Sequence, residues 1–261
     1  MKKKKLQQLA ERSMGSLWSS MAPSDPVVVA LGWIGSAAAF FLFLSPIKTF
    51  SQIIKTGDVK GFDYTPYVVT MTNCALWTTY GLITPGRLQP TVTNAGGGAL
   101  ELCYCLVFLR HAAAGPRAAC LRALVLAATF IVVVDVASIL FASKLRVPTL
   151  PGDSPAGTVI ATVAAVFNVM MYAAPLNVAR AVVRTESVEF MPLGLTLGTT
   201  FCSVAWTAYS FVVGDVAILV PNLLGDVLSV LQVLLYCRYA SSTAKPEQPA
   251  DDDSLAAGLL Q

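Results

Sequence analysis

Long apolar stretches recur along almost the whole chain, and short polar connections separate them. A stretch of about 18 or more apolar residues is long enough to cross roughly 30 Å of hydrocarbon as a helix. Backbone groups in lipid must bond within their own segment, so each stretch is predicted to be helical. The pattern predicts seven spans, at residues 27–45, 64–83, 91–109, 122–143, 157–177, 190–213 and 215–236.

Composition also places the chain in a membrane. Of its 261 residues, 55% are hydrophobic and 13% are charged, and the mean hydropathy is +0.65. Soluble globular domains carry about 25% charged residues, nearly twice as many. An amino-terminal tail, residues 1–26, precedes the first span. The residues after the last span, 238–261, are predicted to form a polar, disordered carboxyl tail.

The number of basic residues alternates from loop to loop. The loops after odd-numbered spans, together with the carboxyl tail, hold ten Lys or Arg residues, whereas the loops after even-numbered spans hold three. Lys and Arg in short loops favour the cytoplasmic side, so the carboxyl terminus is predicted to be cytoplasmic and the amino terminus outside. Five basic residues in the amino-terminal tail favour the opposite orientation, but the six loops carry more weight.

The cysteines and the histidine form no pattern typical of a metal or catalytic site. The six cysteines include no CxxC pair and fall within the spans or at their ends, where small packing residues are expected. The single histidine, His111, lies in a loop. No metal, cofactor or nucleic-acid partner is predicted, and an enzyme is the least favoured class because no nucleophile stands with a base.

An internal repeat relates the two ends of the membrane region. The segment FCSVAWTAYS at 201–210 repeats the Trp and Tyr spacing of NCALWTTYG at 73–81, which pairs Trp206 with Trp77. Other markers are paired by the same offset to within one position: Pro46 and Pro175, Lys55 and Arg184, Asn94 and Asn222. Several matched markers at one offset indicate a duplicated unit.

The repeat pairs spans 1 to 3 with spans 5 to 7 and leaves span 4 without a counterpart. Two units of three helices joined directly would be inverted, and one extra crossing restores the same orientation. The predicted fold is therefore an all-α membrane protein with seven transmembrane helices. Two parallel three-helix bundles, residues 27–111 and 157–237, are joined by a linker helix within residues 112–156.

The ordered markers resemble those of the SWEET family of sugar transporters, for which parallel repeats are already described. The likeness covers residues 27–238 and includes the segments MYAAPL, SVEFMP and VPNLLG. It implies a bidirectional facilitative transporter, a uniporter, that moves mono- or disaccharides by alternating access. By the same resemblance a homo-oligomer is expected, with the plasma membrane as its location and membrane lipid around it.

A sugar site needs flat apolar surfaces and groups that both donate and accept hydrogen bonds. An indole provides the first, and a neutral amide provides the second without burying a charge. The resemblance implies a pocket lined by Trp77, Asn94, Trp206 and Asn222, with Asn73 and Cys202 one helical turn before the two tryptophans. Alone, either residue type is more typical of packing against lipid or neighbouring helices, but repetition in both halves favours the pocket.

Pocket width bears on which sugar is carried. The resemblance implies that four positions set this width: Leu42, Met171, Asn73 and Cys202. These side chains are larger than those typical of the family's sucrose carriers, which favours a hexose such as glucose. The alternatives are a disaccharide such as sucrose, and a PQ-loop-type carrier for another small solute, which would be expected to hold charged groups where Asn94 and Asn222 stand.

Two further sets of residues suggest moving parts. Four prolines match the family's proline tetrad near the cytoplasmic ends of spans 1, 2, 5 and 6: Pro46, Pro66, Pro175 and Pro192. Each is expected to remove a backbone hydrogen bond and permit a bend, so that the set acts as a hinge. On the opposite side, Tyr80 and Asp215 match residues that close the family's extracellular gate by hydrogen bonding.

Three carboxylates fall inside the predicted spans, where ionisable groups are costly and are functional candidates: Glu101, Asp135 and Asp226. Glu101 has a counterpart in the family, whereas the other two have none. Asp226 lies one turn beyond Asn222 and is expected to touch the pocket, which keeps a proton-coupled carrier open as an alternative. A seven-helix receptor is disfavoured because it would need no repeat.

Overall fold

The structure is a computed structural model that describes residues 25–59, 61–189 and 191–241. The described residues form α-helices only. In chain order they are α1 (Pro26–Leu44), α2 (Ile47–Thr56), α3 (Thr65–Ile83), α4 (Leu88–His111), α5 (Ala114–Phe141), α6 (Pro155–Met171), α7 (Ala173–Thr185), α8 (Leu193–Val213) and α9 (Val216–Tyr239). Most of the two predicted tails lies outside the described residues.

These nine described helices correspond to the seven predicted spans. Spans 1 and 5 are each divided into two helices, and every other span is a single helix. The first break separates α1 from α2 next to Pro46, and the second separates α6 from α7 close to Pro175. Proline has no N–H to extend the helical hydrogen-bond ladder, which explains why both breaks lie beside it. The repeat therefore preserves the proline and, to within about three residues, the position of the break.

The helix ends differ from the predicted spans most clearly in the linker. Span 4 was predicted at 122–143, whereas α5 begins eight residues earlier, at Ala114. Its first turns include Arg117 and Arg122, so the helix extends beyond its apolar part. The α9 helix likewise continues to Tyr239. A hydropathy pattern reports the part of a helix suited to hydrocarbon, and polar turns at either end fall outside it.

Five helical stretches are long and apolar enough to cross a membrane, judged on length and composition: Pro26–Thr56, Leu88–His111, Ala114–Phe141, Pro155–Thr185 and Val216–Tyr239. The remaining two helices, α3 and α8, have 19 and 21 residues and are not among these five. They are also the two that carry Trp77 and Trp206.

The two halves meet through a pair of equivalent contacts. Helix α1 packs against α8, and α6 packs against α3. Because α6 is the repeat counterpart of α1, and α8 that of α3, the two contacts are the same contact made twice. A Cβ on Gly35 would lie 3.0 Å from the Trp206 indole, so glycine permits the close approach of α1 to α8. With α5 packed on α3 and α6, this is the predicted 3+1+3 arrangement.

One end of the molecule has a hydrophobic core to which both halves contribute. Leu76 and Tyr80 of the first half pack there with Ile160, Tyr209 and Ile218 of the second. None of these side chains is more than 5% exposed. We call this the sealed end, and its loops are residues 84–87, 142–154 and 214–215.

At the opposite end, each half packs around its own residues. The first-half cluster contains Phe50, Tyr104 and Phe108, and the second-half cluster contains Val182 and Met191. Within the described ranges, neither cluster includes a residue of the other half. We call this the open end, and α2 and α7 lie there. The halves are therefore joined at the sealed end and separate at the open end.

Candidate functional site

A cavity of about 200 Å³ lies between the two halves. Each half contributes one tryptophan and one asparagine to its wall: Trp77 and Asn94 from the first, Trp206 and Asn222 from the second. Asn73 also lines this cavity. Side chains that the repeat pairs along the sequence are therefore brought together in space.

The two indoles are held in the same way. The Trp77 ring lies edge-on to Tyr80 with 5.5 Å between centroids and 81° between planes. The Trp206 ring lies edge-on to Tyr209 with 5.3 Å and 80°. Edge-to-face contacts of this kind fix the plane of a ring. Both halves thus present a flat apolar surface in a defined orientation.

The two paired amides are anchored equivalently as well. Asn94 Nδ2 donates to the carbonyl of Pro90 at 2.9 Å, and Asn222 Nδ2 donates to that of Ile218 at 2.7 Å. Each bond reaches back one turn along its own helix and fixes the side chain. An amide has two N–H groups and an acceptor oxygen, so each retains capacity for a ligand. The wall therefore offers uncharged donors and acceptors beside the indoles.

Asn168 is a cavity residue that the sequence analysis missed. Asn73 Nδ2 donates to Asn168 Oδ1 at 2.6 Å and to the carbonyl of Ala164 at 3.1 Å, so the amide pair links α3 to α6. The repeat counterpart of Asn168 is Ala39, and a search for repeated markers therefore passes over it. The available signal was an asparagine inside an apolar span, where an unbonded amide is costly.

A second cavity of about 210 Å³ adjoins the first, and Asn168, Met171 and Asn222 line both. Leu42 and Cys202 line only the second. The eight residues predicted for the pocket therefore all lie on one or both cavities. On the wall of the second cavity, the Tyr172 hydroxyl donates to the carbonyl of Pro221 and joins the break in span 5 to α9.

At the sealed end, buried polar groups from four segments meet. The Tyr80 hydroxyl lies 2.8 Å from Asp215 Oδ2 and 3.0 Å from Asp153 Oδ1. Arg87 Nε lies 2.6 Å from the same Asp215 oxygen in an ion pair. The other oxygen of Asp215 accepts from the Ile218 N–H at 3.0 Å and caps α9. Asp215 is 2% exposed, so these bonds satisfy a carboxylate that water does not reach.

Two residues of this network, Arg87 and Asp153, were not predicted from the sequence. Burial opposes the charge on Arg87, but the neighbouring Asp215 carboxylate outweighs it and the pKa of the guanidinium is raised. Burial raises the pKa of the Asp153 carboxyl; the hydrogen bond from Tyr80 acts against this, and the negative Asp215 adds to it. Arg87 stands at the repeat position of Asp215, but the two residue types differ, and Asp153 lies in the linker loop, so a search for repeated residue types finds neither of them.

The prolines of the tetrad fall into two structural types. Pro46 and Pro175 lie beside the breaks in spans 1 and 5. Pro66 is in the first turn of α3, and Pro192 is the N-cap of α8. At a helix start the missing N–H has no helical partner to lose. The prediction that every proline removes a helical hydrogen bond is therefore wrong for Pro66 and Pro192.

Two of the three carboxylates within the spans bond to neighbouring helices. Asp135 Oδ2 accepts from Thr79 at 2.8 Å, and Asp226 Oδ2 accepts from Thr207 at 2.7 Å. Asp226 is absent from the lining of both cavities, so the prediction that it touches the pocket is wrong. Glu101 is 5% exposed, and its Oε2 has no hydrogen-bond partner among the described residues.

Comparison with known proteins gives consistent matches over both halves. A sequence profile of the family described as "Sugar efflux transporter for intercellular exchange" matches residues 29–114 and 158–244. The chain is 36% identical over 225 residues to "Bidirectional sugar transporter SWEET4" of Oryza sativa subsp. japonica, covering 85% of this chain and 84% of that protein. It is 34% identical over 215 residues to "Bidirectional sugar transporter SWEET5" of Arabidopsis thaliana, covering 82% and 86%.

A solved structure is similar as well. It is titled "The 3.7 A resolution structure of a eukaryotic SWEET transporter" and matches with a TM-score of 0.75 and 33% sequence identity. The match covers 82% of this chain and 97% of that one. The likeness therefore extends over nearly all of the described helices.

Proposed function

Because this chain belongs to the SWEET family of sugar transporters, we propose that it is a bidirectional uniporter that moves a hexose such as glucose across a membrane. The observation that supports this proposal is the cavity to which each half contributes one indole and one amide. Membership of a transporter family also leaves no reason to propose an enzyme activity.

The chemistry of the cavity suits a neutral, polyhydroxylated ring. The C–H face of a sugar packs on Trp77 or Trp206, while its hydroxyls exchange hydrogen bonds with Asn94 and Asn222. Among its described lining residues the first cavity has no Lys, Arg, Asp or Glu. A carrier of amino acids would need charged partners there. The lining thus favours a sugar over a charged solute.

A hexose is preferred because the cavity is divided. Asn168 and Met171 line both cavities, Asn73 donates to Asn168, and the two spaces measure about 200 Å³ and 210 Å³. A disaccharide such as sucrose is the second candidate. The observation that favours it is the adjoining second cavity, with Leu42 and Cys202, which offers room for another ring.

Alternating access explains the contrast between the two ends. In the conformation described here, Tyr80, Asp215 and Arg87 close the sealed end, and the halves are separate at the open end. Sugar enters from the open end and binds between the indoles. The halves then close at that end by bending at the breaks beside Pro46 and Pro175. Separation of Arg87 from Asp215 opens the other side.

The open end is proposed to face the cytoplasm, with the amino terminus outside and the carboxyl terminus inside. The distribution of Lys and Arg in the loops supports this orientation. The plasma membrane is the proposed location, and a homo-oligomer is the proposed assembly. Lipid contact is supported by α5, where Leu126 and Val132 are 70% and 59% exposed.

The proposal is tested by equilibrium exchange of labelled sugars. The purified full chain in proteoliposomes is given labelled glucose, fructose or sucrose, with and without a pH gradient. We expect glucose to exchange fastest and the gradient to drive no net accumulation of sugar. Faster sucrose exchange would replace the hexose assignment, and accumulation of sugar driven by the gradient would make the protein a proton-coupled carrier. No exchange of any sugar would refute the function itself.

A matched pair of variants separates the cavity from the rest of the fold. Asn222→Leu removes the amide from the cavity and is expected to abolish most glucose exchange. Thr129→Val makes a similar polar-to-apolar change on exposed α5, where Thr129 bonds only to the Val125 carbonyl of its own helix, at 2.8 Å. We expect Thr129→Val to exchange glucose at the wild-type rate. Equal losses in both variants would point to a folding defect.

A further inference from the structure

A lipid-facing groove runs between α7 and α9 at the open end, and it is distinct from the two cavities between the halves. Its volume is about 370 Å³. Its walls are apolar, and two arginines of α7 complete the lining: Leu176, Ala179, Val183, Leu231 and Leu235, with Arg180 and Arg184. Leu176 and Leu231 are 40% and 43% exposed, so the groove is open to its surroundings.

In the described part of the first half, aromatic rings occupy the positions equivalent to this groove. The repeat counterpart of Ala179 is Phe50, which is 3% exposed and stacks on Tyr104 with 4.5 Å between centroids and 19° between planes. In the register that pairs α4 with α9, the counterpart of Tyr104 is Gln232. The second half therefore lacks both rings of the stacked pair. Ala179 lines the groove, whereas Gln232 lines the second cavity, so the groove lies where a ring at position 179 would be.

The two arginines give the groove a positive rim. Arg180 and Arg184 are four residues apart, so they lie on one face of α7, and both are exposed. Among the described residues, neither rim arginine has a carboxylate within 4 Å. The ion pair found at that distance joins Arg87 to Asp215 at the other end of the molecule. Their first-half counterparts are Ser51 and Lys55. At these two positions the second half thus has two positive charges and the first half has one.

We propose that this groove binds one anionic phospholipid. The phosphate lies between Arg180 and Arg184, and an acyl chain lies along Leu176, Ala179 and Leu231. A guanidinium binds phosphate oxygens through two parallel hydrogen bonds, and two of them four residues apart suit a single headgroup. Basic pockets between transmembrane helices at the cytoplasmic surface are suited to anionic headgroups. Apolar walls below such a rim complement the chain.

The binding site also has a defined place relative to the substrate path. Pro175, Leu228 and Gln232 line the second cavity, and the same three residues line a small space that extends to Ala179 and Leu231 of the groove. One layer of side chains therefore separates the lipid from the second cavity. The lipid contacts α7 just beyond the break in span 5. The site itself does not depend on which sugar the protein carries.

Native mass spectrometry of the purified full chain tests this proposal. The protein is titrated with dioleoyl phosphatidylglycerol or with dioleoyl phosphatidylcholine, which differ in headgroup charge and share their chains. Each Arg near a membrane surface contributes roughly 1 kcal/mol to the binding of anionic lipid, so the first phosphatidylglycerol is expected to bind about 30-fold more tightly than phosphatidylcholine. Arg180→Gln with Arg184→Gln is expected to abolish this preference.

Two further variants separate charge from shape. Ala179→Phe restores the ring that the first half carries and is expected to displace the bound lipid of either type. Lys55→Gln removes the exposed first-half counterpart of Arg184 and is expected to leave the preference unchanged. Thermal unfolding of each variant checks that it is folded. If Ala179→Phe does not fold, the two-arginine variant and Lys55→Gln still decide the matter.

Four results would contradict the proposal that the groove binds an anionic phospholipid. Equal affinity for the two lipids in the wild type would overturn the proposal, and so would a preference that survives loss of both arginines. Displacement of phosphatidylglycerol by glycerol phosphate at the same concentration would show a free-phosphate site instead. Loss of oligomers in Ala179→Phe, with lipid retained, would show that another copy of the chain occupies the groove.

Discussion

The two three-helix halves are alike where they face each other and unlike where each packs on itself. At the sealed end, Tyr80 and Tyr209 are both fully buried and hold their tryptophans in the same geometry. At the open end, Phe50 and Tyr104 of the first half stack, whereas Ala179 and Gln232 occupy the equivalent positions of the second. Duplication has thus preserved the shared surfaces and not the separate cores.

This difference indicates unequal roles for the halves during transport. The first half has a dense aromatic cluster around Phe50 at the open end. The second half has a groove and the second cavity on either side of α7. Close-packed interiors resist deformation, whereas a helix with fewer protein side chains packed around it has more room to move. We therefore expect α7 to move further than α2 when the open end closes.

The largest expected effect concerns the stability of the two open-end cores. Phe50→Ala removes a buried ring from the aromatic cluster and is expected to lower the free energy of unfolding by about 3 to 5 kcal/mol. Ala179→Phe places the same ring in the groove and is expected to change it by less than about 1 kcal/mol, because the space exists already. Denaturant titration of the purified protein measures both changes. Equal destabilisation would mean that the two halves are packed alike.

The next effect tests whether the halves contribute equally to substrate binding. Trp77→Ala and Trp206→Ala each remove one flat face from the cavity. Each is expected to reduce glucose exchange about 30-fold, which corresponds to the roughly 2 kcal/mol typical of a binding hot spot. Trp33→Ala is the control, since that indole is 45% exposed and lies outside both cavities. A large loss in only one of the two cavity variants would show that one half dominates binding.

A smaller effect distinguishes the two types of proline. Pro175→Ala is expected to slow exchange about fivefold, equivalent to about 1 kcal/mol in the barrier, because it stiffens the break in span 5. Pro66→Ala changes a residue in the first turn of α3 and is expected to leave the rate unaltered. Both proteins should reach the membrane in normal amounts. Identical rates for Pro175→Ala and the wild type would show that the break in span 5 does not act as a hinge.

The smallest effect concerns pH at the sealed end. The raised pKa of Asp153 means that its carboxyl takes up a proton more readily when this end is closed. Falling pH therefore favours closure, and rising pH through that pKa weakens it. Acidification is expected to slow glucose exchange about twofold to threefold, equivalent to less than about 1 kcal/mol. Asp153→Asn, which can still accept from Tyr80, should lose this dependence. A pH profile unchanged in the variant would assign the effect to another group.

The transmembrane spans and the paired residues of the cavity could be predicted from the sequence. The spans follow from apolar length, and Trp77, Asn94, Trp206 and Asn222 follow from a constant offset. These four do line one cavity. Asn168 stayed hidden because the matching position holds Ala39. A repeat cannot reveal a group that only one copy acquired after duplication.

Asp226 shows a second limit of reading a sequence. It lies four residues after Asn222, which amounts to slightly more than one turn at about 3.6 residues per turn. The extra rotation of about 40° points its carboxylate toward Thr207 of α8 instead of the cavity. Spacing along a helix predicts a side but not the nearest partner, because that partner belongs to a helix far away in the chain.

The apolar core shared by both halves makes the balance between the two conformations depend on temperature. Opening the sealed end brings Leu76, Tyr209 and Ile218 into contact with water. Exposing apolar surface to water raises the heat capacity. The hydrophobic attraction that keeps the sealed end closed therefore weakens on cooling. Chilling the transporter should therefore enlarge the fraction of molecules in which the sealed end is open, and warming should reduce it.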